Sequence, residues 1–79
     1  MSKIKPVLTI VSPCFNEIYN IKDCYEEVKK IFELEPLNQY LREHIIVDDF
    51  STDGTKEILI ELAKNDKRIK VIFNARNFG

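Results

Sequence analysis

Val7-Leu8-Thr9-Ile10-Val11 is β-branched and nearly continuous in hydrophobicity, the pattern of a strand covered on both faces. Pro13 cannot donate to the ladder of a central strand and biases Ser12 to extended geometry, so the strand is expected to end at Ser12. From about Asn20 to Glu33 the period changes. Ile21, Cys24, Tyr25, Val28, Ile31 and Phe32 recur at spacings of three and four, which predicts an amphipathic helix with Asn20 as its N-cap. Asp23 near its start and Lys29 and Lys30 near its end suit the helix dipole, and Pro36 closes the segment. Residues 36–43 read as a polar connection, with Tyr40 and Leu41 packing back on the core.

His44 to Val47 predicts a second short strand, ending in Asp48-Asp49. Ser51-Thr52-Asp53-Gly54-Thr55 is rich in turn formers and helix caps, and a second helix follows to about Asn65 with Ile58, Leu59, Leu62 and Ala63 inside. Ile69-Lys70-Val71-Ile72-Phe73 makes a third strand. The alternation strand, helix, strand, helix, strand implies right-handed crossovers and a parallel sheet, half of a doubly wound α/β fold. Ligands of such sheets sit beyond the carboxyl ends of the strands. Here those ends are Pro13 to Glu17, Asp48 to Thr55, and Asn74 to Gly79, where the unusual residues cluster.

At 79 residues the chain has room for one small domain. A domain this short buries only about 60% of its unfolded surface, so its stability is expected to be marginal. Twelve Lys and Arg against thirteen Asp and Glu give a net charge of −1, no strong field to draw in nucleic acid or an anionic membrane surface. Apolar runs of two or three residues span no bilayer, and Val7 to Val11 is too short for the core of a secretory signal. Cys14 and Cys24 form no disulfide framework or metal spacing, which fits reduced thiols in a cytoplasmic protein.

Asp48-Asp49 is the sharpest chemical feature. Side chains alternate along an extended chain, so the two carboxylates are expected on opposite sides, unable to chelate one metal unless the strand breaks first. A single carboxylate facing the cleft can accept the N–H of a uracil or guanine ring, or a ribose hydroxyl; equally, both can cap the turn. Ser51, Thr52, Asp53 and Thr55 read as caps of the second helix, with Gly54 relieving the tight turn. No glycine-rich phosphate loop follows the first strand, which argues against dinucleotide-binding and P-loop proteins. Phe15 can stack on a base or fill the core, and Glu17 can bind a ribose or open the helix. Arg76 can meet a diphosphate or lie in solvent. His44 has no Ser, Cys or metal partner at a telling spacing, and Cys24 reads as core. Nothing near Cys14 would lower its pKa.

The run Leu8-Thr9-Ile10-Val11-Ser12-Pro13-Cys14-Phe15-Asn16-Glu17 resembles the opening strand and loop of family-2 glycosyltransferases. Ile45-Ile46-Val47-Asp48-Asp49-Phe50-Ser51-Thr52-Asp53-Gly54-Thr55 resembles that family's second signature. The tail Ala75-Arg76-Asn77-Phe78-Gly79 is similar to the segment after the third strand in its polyprenyl-phosphate branch. The resemblance implies the βαβαβ parallel-sheet half of a Rossmann-like nucleotide-diphospho-sugar transferase (GT-A) fold. It makes residues 1–79 a single N-terminal piece of a longer catalytic domain. By position it assigns Pro13, Phe15 and Glu17 to the base and ribose, Asp49 to the base edge, Asp48 to the turn, and Arg76 to the diphosphate. Cys14 and Phe50 are less typical, the latter where glycine or asparagine is frequent. The family's metal-binding Asp-x-Asp motif, acceptor site and catalytic base lie further on.

The implied parent binds a UDP-sugar or GDP-sugar with Mg2+ or Mn2+ held by ligands outside this chain. It passes the sugar to an acceptor, expected to be a polyprenyl phosphate at the inner face of the cell membrane, and the isolated chain is expected to be inactive. An exposed edge at the third strand points to pairing between copies as a homodimer. Two rival readings are a self-contained, non-enzymatic nucleotide-binding module and a chain with no ligand of its own. A phosphoacceptor receiver domain fails on placement, since its acidic pair belongs after the first strand, where Ser12-Pro13 stands.

Overall fold

A computed structural model describes residues 4–74. Three strands and two helices follow in the order β1 (Val7–Cys14), α1 (Ile21–Ile31), β2 (Leu41–Asp48), α2 (Thr55–Asn65) and β3 (Ile69–Phe73), with a short 3₁₀ turn at Leu37–Gln39. The strands form one sheet in the order β1-β2-β3, and both pairings are parallel. This is the α/β architecture that the alternating pattern predicts.

The two crossovers step the same way across the sheet, so one handedness lays both helices on one face. Between them and the sheet lies the core of Cys14, Ile21, Tyr25, Ile46, Leu59 and Ile69, with Ile58, Leu62, Ala63 and Val71 packed against it. Side chains of opposite parity stand on the other face. There Val7 is 59% exposed, Val11 61% and Ile72 50%. The expectation that β1 is covered on both faces is therefore corrected: among the described residues only one face has a second layer. On the open face Thr9 Oγ1 donates to Glu43 at 2.7 Å, and the other oxygen of that carboxylate meets Lys70 Nζ at 2.7 Å.

β1 does not stop at Ser12. It runs through Pro13 to Cys14, in register with Val47 and Asp48. The carbonyls of Pro6 and Cys14 accept from Leu41 and Asp49, so the even-numbered residues turn their backbone groups toward β2. Pro13 has the other parity, and its missing N–H falls on the open edge. Such an edge tolerates proline where a central strand does not.

β2 begins at Leu41 rather than His44, because the ladder to β1 extends back through Arg42 and Glu43. Tyr40 is 38% exposed and does not pack back as expected. α1 is shorter than the apolar stripe suggests; Ile31 is 42% exposed, whereas Phe32 beyond the helix is buried. Asn20 occupies the N-cap position without a side-chain cap bond. Its amide instead donates to Glu17 Oε2 at 3.3 Å.

Two buried polar groups support this core. His44 is fully buried, and its Nε2 lies 2.8 Å from Ser12 Oγ, so the sequence-based expectation that it lacks a serine partner is overturned. The two residues stand on adjacent strands two positions out of register, a proximity that sequence spacing does not reveal. Burial, and then the charge of Arg42, hold the His44 pKa below 6.5. Asp66 follows α2 and receives Arg42 Nη2 at 2.8 Å and the Tyr25 hydroxyl at 2.7 Å. Burial opposes its ionisation, yet those hydrogen bonds outweigh that cost and bring its pKa down to about 2.

The two groups act in different pH windows. The folded His44 takes up a proton less readily than the unfolded one, so its contribution is complete above pH 6.5 and declines as pH falls below it. The ionised Asp66 contributes above pH 3.8 and that contribution is lost as pH falls toward about 2. Urea unfolding across this range is expected to show stability decreasing in two stages. Asp66→Asn is expected to shrink the lower stage by up to about 2 kcal/mol, leaving the part due to Asp53 and Glu43, while sparing the upper.

Candidate functional site

The ladder between β1 and β2 closes at the bond from Asp49 N to Cys14 O, 2.8 Å. Beyond it the two loops hold each other through side chains. Asn16 N donates to Ser51 Oγ at 2.9 Å, and Asn16 Oδ1 accepts from Thr52 N at 2.8 Å. Asp53 Oδ2 accepts from Ile18 N at 3.2 Å, and its Oδ1 accepts from Thr55 N at 3.0 Å and from the Thr55 hydroxyl. Asp48 is 1% exposed, and its two oxygens accept from the backbone N–H and the hydroxyl of Ser51.

Three positive φ angles make this arrangement. Asn16 (48°) and Phe50 (61°) are the non-glycine residues in the left-handed region among the described residues, and Gly54 (99°) opens α2. The φ of Gly54 favours glycine, and a Cβ there would also stand 2.9 Å from Ile18 Cδ1, so the end of that side chain would have to move aside. Asparagine tolerates the left-handed region; phenylalanine does so only at a cost. Phe50 thus stands where the resembled family often has glycine or asparagine, in the conformation those residues favour.

The sequence-derived candidates occupy one edge of the sheet but not one hollow. Pro13 and Glu17 line a small hollow of about 200 Å³ with Ser12, Asn20, Ile21 and Cys24. Asp48 lines a wider one of about 510 Å³ with Phe50, Ser51, Lys56, Phe73 and Asn74. In that wider hollow the Lys56 ammonium lies 5.3 Å above the centre of the Phe73 ring. Phe15 is 49% exposed, and Asp49 is also exposed beside the end of β1. Arg76 and the Ala75–Gly79 tail lie outside the described residues.

Asp48 and Asp49 therefore differ in their surroundings. The first is buried with both oxygens accepting from Ser51, whereas the second faces solvent. Among the described residues no group of three or more His, Cys, Asp and Glu could hold a metal ion. Asn16 was not among the sequence-derived site residues, although it joins both loops. Its signal was an asparagine two residues past a strand end, a residue type enriched in the left-handed region.

Side-chain oxygens of Asn16, Ser51 and Asp53 accept from backbone N–H groups of these loops, and the Asp49 carboxylate and the Phe15 and Phe50 rings are exposed along the carboxyl edge of the parallel α/β sheet. That is the arrangement of a Rossmann-like α/β protein. The chain belongs to glycosyl transferase family 2, whose family model matches residues 9–79. It is 37% identical over all 79 residues to a Bacillus subtilis (strain 168) protein named for teichuronic acid biosynthesis, the glycosyltransferase TuaG, of which it covers 29%. Over 67 residues, 85% of the chain, it is 39% identical to the succinoglycan biosynthesis protein ExoA of Rhizobium meliloti (strain 1021), covering 19% of it. Over 72 residues, 91% of the chain, it is 35% identical to the bactoprenol glucosyl transferase of Shigella phage SfX, covering 23% of that protein. The chain thus spans well under a third of each of these relatives.

The loop contacts make two opposing substitutions informative. Asn16→Ala removes the bond to Thr52 and puts alanine at a positive φ, and is expected to cost about 2 kcal/mol. Phe50→Asn relieves the left-handed conformation and is expected to add about 1 kcal/mol, both read by urea denaturation. Cys14 offers a further check. Burial, followed by the charges of Asp48 and Glu17, pushes its thiol up to about 11. Alkylation by iodoacetamide at mildly alkaline pH, followed by mass spectrometry, is expected to modify Cys24 well before Cys14.

Proposed function

We propose that this chain forms the nucleotide-holding part of a transferase that moves a sugar from a nucleoside-diphosphate sugar to an acceptor. The observation that carries the proposal is the pair of bonded loops in a family-2 chain, with Asp49 and Phe15 exposed at the carboxyl ends of β1 and β2. Asp49 accepts the ring N–H of uracil or guanine, and Phe15 offers its face to the base. Pro13 and Glu17 border the ribose. Asp48 acts indirectly, through Ser51, by fixing the turn that presents Asp49. Arg76 meets the diphosphate.

A divalent Mg2+ or Mn2+ ion would offset charge on the leaving diphosphate. The described residues of this chain do not supply a ligand set for it, so its ligands belong to other parts of the parent. The relatives named as bactoprenol glucosyl transferases support a polyprenyl phosphate as the acceptor. No helix among the described residues is long and apolar enough to cross a membrane. The isolated 79-residue chain binds nucleotide without transferring sugar.

Amide NMR titration with UDP and then GDP, with and without Mg2+, tests the assignment. Shifts are expected at Phe15, Glu17 and Asp49, with little dependence on Mg2+. Asp49→Asn loses a charged acceptor and is expected to weaken binding about tenfold. A dispersed spectrum that does not respond to either nucleotide would remove this half-site from the chain, and sugar transfer by the isolated chain would refute its inactivity.

A further inference from the structure

Cationic side chains gather at the opposite end of the sheet, where the proposed transfer reaction does not use them. Lys5 precedes β1, Arg42 is the second residue of β2, and Arg68 directly precedes β3. Parallel strands bring all three to the same end, and Lys29 joins them from the last turn of α1. These four line a shallow hollow of about 270 Å³, in which Glu33 is the one lining carboxylate. The concentration is local, because the whole chain has a net charge of −1.

Arg42 is the centre of this cluster. Its side chain is 10% exposed; Nη2 is paired with Asp66 at 2.8 Å, and the guanidinium lies 5.9 Å from the centre of the Tyr25 ring. Its Nη1 is buried and has no hydrogen-bond partner among the described residues. A buried donor left unpaired is destabilising, a cost that an acceptor entering the hollow would relieve. Two neighbours are anchored beside it. Lys5 Nζ donates to Asn38 O at 3.1 Å, and Arg68 Nη1 reaches the carbonyl of Arg42 itself at 3.4 Å.

We propose that this hollow is a second ligand site, one that binds a phosphate-type oxyanion. A guanidinium with a spare N–H supplies directional bonds to phosphate oxygens, and the two lysines and Arg68 supply charge around them. The eight residues of β2 separate it from the nucleotide edge by roughly 23 Å, too far for one nucleotide diphosphate to serve both. Its ligand is either free phosphate or pyrophosphate, or the phosphate of an anionic lipid headgroup, since both present the same oxygens.

Two arms separate these sources. The first is an amide NMR titration of the 79-residue chain with inorganic phosphate and pyrophosphate at constant ionic strength. The second is cosedimentation with phosphatidylglycerol vesicles, using phosphatidylcholine vesicles as the control. A free-anion ligand is expected to give saturable shifts around Lys29, Asn38, Arg42 and Arg68, with none at Phe15 or Asp49. A headgroup ligand is expected to give cosedimentation with the anionic vesicles alone. In either case the double variant Lys5→Gln with Arg68→Gln, which leaves the Arg42–Asp66 pair intact, is expected to weaken binding about tenfold. Its unfolding midpoint is expected to stay unchanged. The proposal is overturned if neither arm shows binding, if the shifts follow ionic strength rather than phosphate, or if the double variant binds as the parent chain does.

Discussion

The exchange of hydrogen bonds between the β1–α1 and β2–α2 loops is the constraint on which the ligand edge depends. Two parallel strands end side by side, and their chains must turn away into separate helices with backbone groups that no ladder can pair. Side-chain oxygens replace that ladder: Ser51 takes the N–H of Asn16, Asn16 that of Thr52, Asp53 those of Ile18 and Thr55, and Asp48 that of Ser51. Each bond is worth only about 1 kcal/mol net, but those from Asn16, Ile18 and Thr52 cross between the loops, so each loop restrains the other. Phe15 and Asp49 are exposed on loops that the fold has already ordered. The nucleotide proposed to meet them would therefore lose less affinity to loop ordering than on free loops.

The two ends of the sheet use charge in opposite ways. At the carboxyl end, Asp48 and Asp53 are committed to backbone and hydroxyl donors, and Asp49 remains exposed. At the amino end, Asp66 satisfies one nitrogen of Arg42 and the hydroxyl of Tyr25, while Arg42 Nη1 has no partner among the described residues. Between them His44 sits neutral under the helices with Ser12. A net charge of −1 conceals this separation, which arises because parallel strands place every strand start at one end and every strand finish at the other.

The open sheet face has a different character. Val7, Val11 and Ile72 are exposed, with the Thr9, Glu43 and Lys70 bonds set among them. This accounts for the unbroken apolar run of β1 in a strand covered on only one side among the described residues. It also explains why Pro13 is compatible with the strand. An edge position leaves one set of backbone groups without a protein partner, and the residue without an N–H falls in that set.

Much was legible from local sequence alone. The order of the elements, the parallel sheet and the second helix followed from periodicity and capping, because these depend on residues near one another in the chain. The family resemblance was legible in the same way, through contiguous motifs at the strand ends. Strand limits were less so: β1 continued through Pro13 and β2 began at Leu41, since both depend on the neighbouring strand. Only the tertiary structure paired Ser12 with His44, Arg42 with Asp66, and Asn16 with Ser51 and Thr52, residues 24 to 36 positions apart. It also decided that the two adjacent carboxylates, Asp48 and Asp49, have unlike surroundings. Periodicity records which side of an element a residue occupies, but a hydrogen bond across strands or loops depends on register and on where the chain turns, and those are set when the sheet assembles.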